Sequence, residues 1–266
     1  MPFGVKNGVS GFNRVLNHIL RDKLWKSCLA YVDDVLVMSS TFEEHVQRLH
    51  EIFDTLEKAN LTLKLAKCSF FQKSVKYLGH ILSKSGLSPS PALISPIMYW
   101  PVPTNAKLVQ KCLGLDAYYR TFIRNFSEIA KPLYHLTNKD EKFLWTDECQ
   151  QSFDKLKLSL TTAPILSFPD FTKPFILDVD ASNYAIGAVL SQLDENGKEH
   201  IIRYGSKTLN KSEVNYSATK KELLAMVYFI DHFKYYISNK KFTLRTDRSS
   251  LHLLNSFLSP QGILVL

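Results

Sequence analysis

Ten residues near the start constrain this chain more than any others: Leu29-Ala30-Tyr31-Val32-Asp33-Asp34-Val35-Leu36-Val37-Met38. Two apolar, β-prone runs flank a pair of adjacent carboxylates. The flanks want burial on both faces and Asp tolerates turn conformations, so the stretch reads as a buried hairpin with the aspartates at its tight turn. An ordinary hairpin with a polar turn satisfies the pattern. So does a sheet rim that offers two hard oxygen donors to a divalent cation. The rest of the sequence has to decide between them.

Composition narrows the choice of partner. At 266 residues, 45% hydrophobic and 12% aromatic, the chain can bury a core in two domains or more. A net charge of +8 and a pI near 9.2 favour a polyanionic partner, nucleic acid before membrane. Cys28, Cys68, Cys112 and Cys149 are scattered, with no Cys-x-x-Cys pair and no Cys/His cluster. Neither a zinc site nor a disulfide framework is supported, and free thiols in a reducing compartment are expected. Met1-Pro2-Phe3-Gly4 opens on turn residues instead of a signal-peptide pattern, and no stretch approaches the ~20 apolar residues of a membrane span. A soluble, intracellular protein without a membrane partner is expected.

The periodicity predicts an α+β chain. Residues 1–11, with three glycines and a proline, read as a loop. A helix follows from Phe12 to Leu20, then the hairpin over 28–39, then a helix opened by a Thr41/Glu44 capping box and closed at Asn60. Short strands are expected at Leu61-Thr62-Leu63, Val75 to Leu78 and Ile81-Leu82. The proline-rich breaks at Leu87-Ser88-Pro89-Ser90-Pro91 and Trp100-Pro101-Val102-Pro103 read as a linker or short connecting subdomain. Residues 106–160 look helical, and Thr146 to Leu160 is amphipathic. Strands then follow at Pro174 to Val179, Ala185 to Leu193 and Ile201 to Ser206. A long helix runs from Ser217 to about Ile237, a strand spans Phe242 to Thr246, and a last helix starts at Ser249. The resulting division is 1–86, 87–170 and 171–266.

With Tyr31-Val32-Asp33-Asp34 in this order of elements, the sequence resembles the Pol polyprotein of gypsy-type LTR retrotransposons, in its reverse transcriptase and ribonuclease H segment. Met1 to Val5, with Asn7 and Phe12, resembles the family's nucleotide-pocket loop and helix. Thr41-Phe42-Glu43-Glu44-His45, Lys67-Cys68-Ser69-Phe70-Phe71 and Tyr77-Leu78-Gly79-His80 follow in family order. So do Tyr118-Tyr119-Arg120-Thr121-Phe122-Ile123, Phe143-Leu144-Trp145-Thr146 and Ala163-Pro164-Ile165-Leu166. In the final part the matches are Asp178-Val179-Asp180-Ala181-Ser182, Gly187 to Gln192, Asn215 to Thr219, Glu222 to Ala225 and Thr246-Asp247.

The resemblance implies a partial polymerase palm, a helical thumb or connection, and a ribonuclease H-like mixed-sheet domain. It implies RNA-directed DNA polymerisation and cutting of the RNA strand in hybrids, both phosphoryl transfers served by paired Mg²⁺ ions, or Mn²⁺ in their place. The implied catalytic and metal-holding residues are Asp33 and Asp34 in the first part and Asp180, Glu222 and Asp247 in the last. Tyr31, Phe12, Asn13, Lys67, Leu78 and Gly79 are implied to meet substrate or nucleic acid. Several have a bland alternative. Tyr31 could be hairpin core, Lys67 a surface lysine and Leu78-Gly79 a simple turn; Glu222 could be solvated beside Lys220 and Lys221, and Asp247 could end a strand. Asp178 shares a strand face with Asp180, but the family pattern favours Asp180.

Implied partners are an RNA template, a DNA primer, the RNA/DNA hybrid, dNTPs and other Pol segments such as protease and integrase. The implied compartment is a cytoplasmic virus-like particle or the nucleus. From Gly205 onward, nine Lys/Arg stand against four Asp/Glu, suited to a sequence-independent grip on a duplex. Four residues depart from the family pattern: Val9 stands for a common proline, Asn13 for the usual pocket glutamine, and Asp116-Ala117 for a small-residue pair. The family's first polymerase aspartate and fourth nuclease acid find no match, so a segment truncated at both ends and inactive as a polymerase is expected. Residual nuclease activity, or a non-catalytic nucleic-acid-binding relic, are the alternatives.

Overall fold

The computed structural model describes residues 6–138, 141–238 and 240–246, and the chain divides into two units, Met1–Leu78 and Gly79–Leu266. The first unit starts with α1 (Gly8–Ile19), which takes in residues whose glycines predict a loop. Their backbone is satisfied locally, since the Gly11 N–H and the Ser10 hydroxyl both donate to the Asn7 carbonyl, at 2.9 and 3.1 Å. The hairpin follows as β1 (Cys28–Tyr31) and β2 (Asp34–Val37), paired antiparallel with Tyr31 opposite Asp34. Burial on both faces does not occur. Among the described residues these two strands form a sheet by themselves, and Cys28 alone in them is fully buried. With one face covered, Ala30, Val35 and Val37 pack against a core of Leu16, Leu20, Cys28, Ile52 and Leu56.

That core is completed by α2 (Phe42–Lys58), where Leu49, Ile52 and Leu56 lie on one face; fully burying such a side chain contributes roughly 1.5–3 kcal/mol. The capping box forms with a shift. Thr41 Oγ1 accepts from the Glu44 N–H at 3.2 Å, while the Glu44 carboxylate reaches the N–H of Ser40, at 2.7 Å, one residue earlier than expected. The strand predicted at Leu61–Leu63 is not one. Asn60 turns left-handed at φ 54° and the Leu61 N–H returns to the Leu56 carbonyl at 2.9 Å, which tucks Leu61 into the core as a helix-end lock. A 3₁₀ turn at Leu65–Lys67 and β3 (Ser74–Tyr77) close the unit.

The second unit opens with the antiparallel pair β4 (His80–Ser83) and β5 (Gly86–Pro89), followed by α3 (Pro91–Met98). Of the two expectations here, a linker or a short connecting subdomain, the regular structure at 86–98 fits the second. Its prolines occupy permissive places, Pro89 as the last strand residue and Pro91 as the first helical one, where no N–H is needed. The helical stretch divides into α4 (Ala106–Tyr118), α5 (Phe126–Ile129), α6 (Lys131–His135) and α7 (Asp147–Thr161), with a 3₁₀ turn at Arg120–Phe122. Asn105 caps α4 and Thr146 caps α7. Val109, Leu113, Phe122, Phe126, Leu133 and Phe153 lie in their common core. Leu87 and Leu166 exchange backbone hydrogen bonds of 2.7 and 2.8 Å, which ties β5 to the chain beyond α7.

The remaining strands are β6 (Phe175–Ala181), β7 (Ala185–Leu193) and β8 (Glu199–Thr208), an antiparallel meander. The predicted long helix divides at Phe233 into α8 (Ala218–His232) and α9 (Lys234–Ile237), and β9 (Phe242–Arg245) returns parallel to β6. Sheet order is β8-β7-β6-β9. One face lies under α8, burying Phe175, Leu177, Leu190, Ala225, Phe229 and Phe233. The other meets the helical layer, where the Ser127 hydroxyl donates to Ser206 Oγ at 3.0 Å and Arg120 donates to the Ser206 carbonyl. The helix predicted from Ser249 lies outside the described residues. Among the described residues, no helix is long and apolar enough to cross a membrane.

Candidate functional site

In the first unit, the hairpin turn is Val32-Asp33, and both Asp33 and Asp34 are exposed. Val32 holds φ at 51°, a left-handed conformation that β-branched residues avoid and that costs on the order of 1–3 kcal/mol. What holds it is Asn13 of α1, whose Oδ1 accepts the Val32 N–H at 2.6 Å. Asn13 thus acts on the turn from beneath. Tyr31 is 52% exposed and is not hairpin core. Phe12 is half-buried against the core. Tyr77 of β3 lies close enough for the Asp34 charge to add to burial in raising its phenol above the ordinary value. Lys67 is exposed on its 3₁₀ turn. Leu78, at φ 45°, ends this unit.

The Asn13 contact makes a direct expectation. Asn13→Ala should cost about 1–2 kcal/mol, the price of one turn N–H losing its acceptor. Hydrogen exchange at the Val32 amide reads the effect; protection as strong as in the parent would refute the anchoring role.

In the second unit, Gly79 takes φ 73° and its carbonyl accepts from the Tyr119 hydroxyl at 2.6 Å. His80 lies between the rings of Tyr118 and Phe122, with centroids 5.4 and 5.6 Å away. Burial holds its imidazole below the ordinary value, hence neutral.

The sheet carries the other acids. Asp180 is exposed near the end of β6, on the face away from α8. Asp178, two residues earlier, is committed elsewhere. Its Oδ1 accepts from Arg245 Nε at 2.7 Å, and the same guanidinium meets Glu199 at 2.7 and 2.8 Å. Ser191 donates to Glu199 at 2.6 Å, so one arginine stitches β6, β8 and β9 together, with β7 joined through the serine. Burial raises the Asp178 carboxyl although Arg245 opposes it, whereas the Arg245 hydrogen bond keeps Glu199 below the usual range. Glu222 is 1% exposed on α8, the helix that packs on β6, and so is no solvated surface acid. Its neighbour Lys221 is buried too and donates to the Asn183 carbonyl just past β6, at 3.2 Å. Asp247 lies outside the described residues.

Asp33 and Asp34 in one unit, and Asp180 and Glu222 in the other, are hard oxygen donors of the type Mg²⁺ prefers. Among the described residues, no three His, Cys, Asp or Glu side chains gather as a metal-holding group. The structure adds residues with little sequence signal. Arg245 and Glu199 are ordinary strand charges until their pairing is seen. Asn125 sits at φ 55°, and its Oδ1 lies 2.7 Å from where a Cβ on Gly187 would stand. Asn before an apolar run was the one available hint, since Asn tolerates left-handed backbone.

Comparisons with known proteins follow these two regions. Residues 1–82 match the family of reverse transcriptase (RNA-dependent DNA polymerase), and residues 145–244 match the RNase H-like domain found in reverse transcriptase. The chain is 42% identical over 262 residues to the retrovirus-related Pol polyprotein from transposon 297 of Drosophila melanogaster, covering 98% of this chain and 24% of that protein. It is 34% identical over 253 residues to the transposon Tf2-3 polyprotein of Schizosaccharomyces pombe, covering 94% and 19%. The chain therefore spans about a quarter or less of the length of these relatives. Among solved structures, the foamy viral protease-reverse transcriptase dRH in complex with double-stranded DNA superposes with a TM-score of 0.82, at 24% identity over 98% of this chain and 45% of that one. The foamy viral protease-reverse transcriptase in complex with RNA/DNA hybrid gives 0.79, at 24% identity over 97% and 35%. At that identity, the shared feature is the fold.

Proposed function

Since the chain belongs to the reverse transcriptases of retrotransposon Pol proteins and carries their RNase H-like domain, we propose that its second unit cuts the RNA strand of RNA/DNA hybrids. Its first unit then contributes part of an RNA-directed DNA polymerase site. The observation that carries the nuclease reading is Glu222, 1% exposed on a helix packed against the strand that presents Asp180. By the family resemblance, Asp180, Glu222 and Asp247 would hold a divalent cation. Family members generally use divalent metals, and Mg²⁺, or Mn²⁺ in its place, suits the oxygen donors. When bound, it would stabilise the charge on the attacking and leaving oxygens of the phosphodiester.

The chain's own part is positional. Arg245 holds Asp178 out of competition and fixes β9 against β6 just before Thr246-Asp247. Lys221 fixes the loop after Asp180 to α8. In the first unit, Asn13 and Val32 set the hairpin turn so that Asp33 and Asp34 project into solvent, with Tyr31 exposed beside them for a primer end. RNA template, DNA primer, dNTPs and the other Pol segments are the proposed partners, in a cytoplasmic particle or the nucleus. The functional parts are proposed as palm to residue 86, thumb or connection to 170, and nuclease-like domain beyond.

The test uses the whole chain, a labelled RNA/DNA hybrid and Mg²⁺. RNA cutting by the parent and none by Asp180→Asn, with hybrid binding retained, supports the reading; equal cutting by both defeats it. The same preparation should extend no primer, because two carboxylates without a third ligand hold the hairpin site among the described residues. The net charge of +8 favours a second reading, a non-catalytic nucleic-acid-binding segment. It expects salt-dependent duplex binding and no cutting, indifferent to substitution at Asp33, Asp34 and Asp180.

A further inference from the structure

A pocket of about 330 Å³ opens on the sheet face away from α8, lined among others by Arg124, Asn125, Asp178, Asp180, Gly187 and Arg245. Two of its walls come from the turn between α4 and α5, far from the strands in sequence. Asn125 is seated on the sheet only because Gly187 lacks a Cβ, which would stand 2.7 Å from its Oδ1. The seat carries Arg124 to the mouth of the pocket, where the residue is exposed. Burial raises both Asp178 and Tyr204, and the Arg124 charge reaches each of them and opposes that rise.

The two guanidiniums at this pocket differ in availability. Arg245 is bound to Asp178 and Glu199 through contacts of 2.7 Å, whereas no hydrogen bond or ion pair among the described residues engages Arg124. Asp180, across the same pocket, is likewise exposed. Resting on the nucleic-acid reading above, we propose that Arg124 binds a backbone phosphate of the strand presented to Asp180, so that the helical layer supplies the nuclease-like site with its anion anchor. The charges favour a strand over a free ion. Arg124 and Arg245 face Asp178, Glu199 and Asp180, one negative charge in excess, so a small anion gains little here. A polyanion held at further points along its length, by the lysines of the same unit, can still place one phosphate against Arg124.

The experiment measures hybrid binding by the full chain without metal, across a salt series. Arg124→Ala should weaken binding several-fold at ~0.1 M salt and reduce the slope of log K against log salt by about 1, whereas Arg124→Lys should keep the slope. Asp180→Asn should bind at least as tightly as the parent, because it removes a repelling charge. Thermal melts of the variants that match the parent's show that an exposed residue was changed without unfolding. An unchanged slope in Arg124→Ala overturns the proposal, and if Asp180→Asn still abolishes cutting, the nuclease reading survives that loss. A reduced slope with cutting unaffected by Asp180→Asn leaves the anchor standing and removes the nuclease reading. Inorganic phosphate that displaces hybrid from the parent, but not from Arg124→Ala, beyond the effect of chloride at equal ionic strength, would assign the pocket to free phosphate and overturn the backbone assignment.

Discussion

Asp116→Asn is expected to stabilise the second unit by at most about 4 kcal/mol at about pH 8, and to change it little at about pH 4. Asp116 is 3% exposed on the face of α4 that also buries Val109 and Leu113. Desolvation pushes its carboxyl from 3.8 to about 7. Below 3.8 the folded and unfolded chains both carry the proton, and the buried acid costs nothing extra. Between 3.8 and about 7 only the folded chain keeps it, so stability falls as pH rises, and above about 7 the full penalty stands. Asparagine keeps the shape and never ionises. Neighbouring groups do not mimic the effect. The Cys112 thiol, pushed up to about 11 by burial and then by Asp116, stays protonated throughout. His80, held low by burial, loses stability toward acid in parent and variant alike, so its contribution cancels in the difference. Denaturant midpoints of the two proteins, measured across this range, should diverge as pH rises; parallel curves would show that Asp116 is not charged in a dry site.

Gly86→Ala should cost about 3–5 kcal/mol, a large share of the ~5–15 kcal/mol that holds a domain together. Gly86 adopts φ 130°, a region in which side chains are strained, and a Cβ there would lie 2.1 Å from the Leu166 carbonyl oxygen. No side chain can move aside, because the obstacle is backbone. Relief requires parting β5 from residue 166 and giving up both Leu87–Leu166 hydrogen bonds, together with the packing of those two leucines on the helical core. Gly114→Ala serves as the contrast. It lies inside α4 with open space around it and should gain up to about 1 kcal/mol. Urea denaturation of the three proteins decides the matter, and equal midpoints for Gly86→Ala and the parent would refute the close approach.

How much of this was legible depends on the range of the interaction. Helices α2 and α7, the meander and the turn at 194–197 follow from local periodicity and caps, and the sequence motifs pointed to the family that the comparisons support. Of the two readings open at residues 87–91, a linker or a short connecting subdomain, β5 and α3 set the linker aside, because prolines at the last strand and first helical positions do not break regular structure. The strand reading at Leu61–Leu63 failed because apolar residues after a helix can fold back on it. Burial of the hairpin was overestimated because composition does not say whether a third strand is at hand. At the candidate sites, Asn13 and Asp116 stood out as departures from a pattern, but their consequences are tertiary: one pins Val32, the other is sealed from water. The Asp178–Arg245–Glu199 bridge joins residues up to 67 positions apart, and no local signal foretells it.

The seam between Ser127 and Ser206 bears on how this protein can be taken apart. Proline and composition invite a cut near residue 170, as though the nuclease-like sheet were a cassette. A cassette excised there would leave behind the lid over its own underside, stripping Ser206 of Ser127, and Gly187 and the Asp180 pocket of Asn125 and Arg124. The severable piece begins upstream at Gly79, where the second unit begins. Grafting the sheet into another polymerase would mean transplanting its helical lid as well.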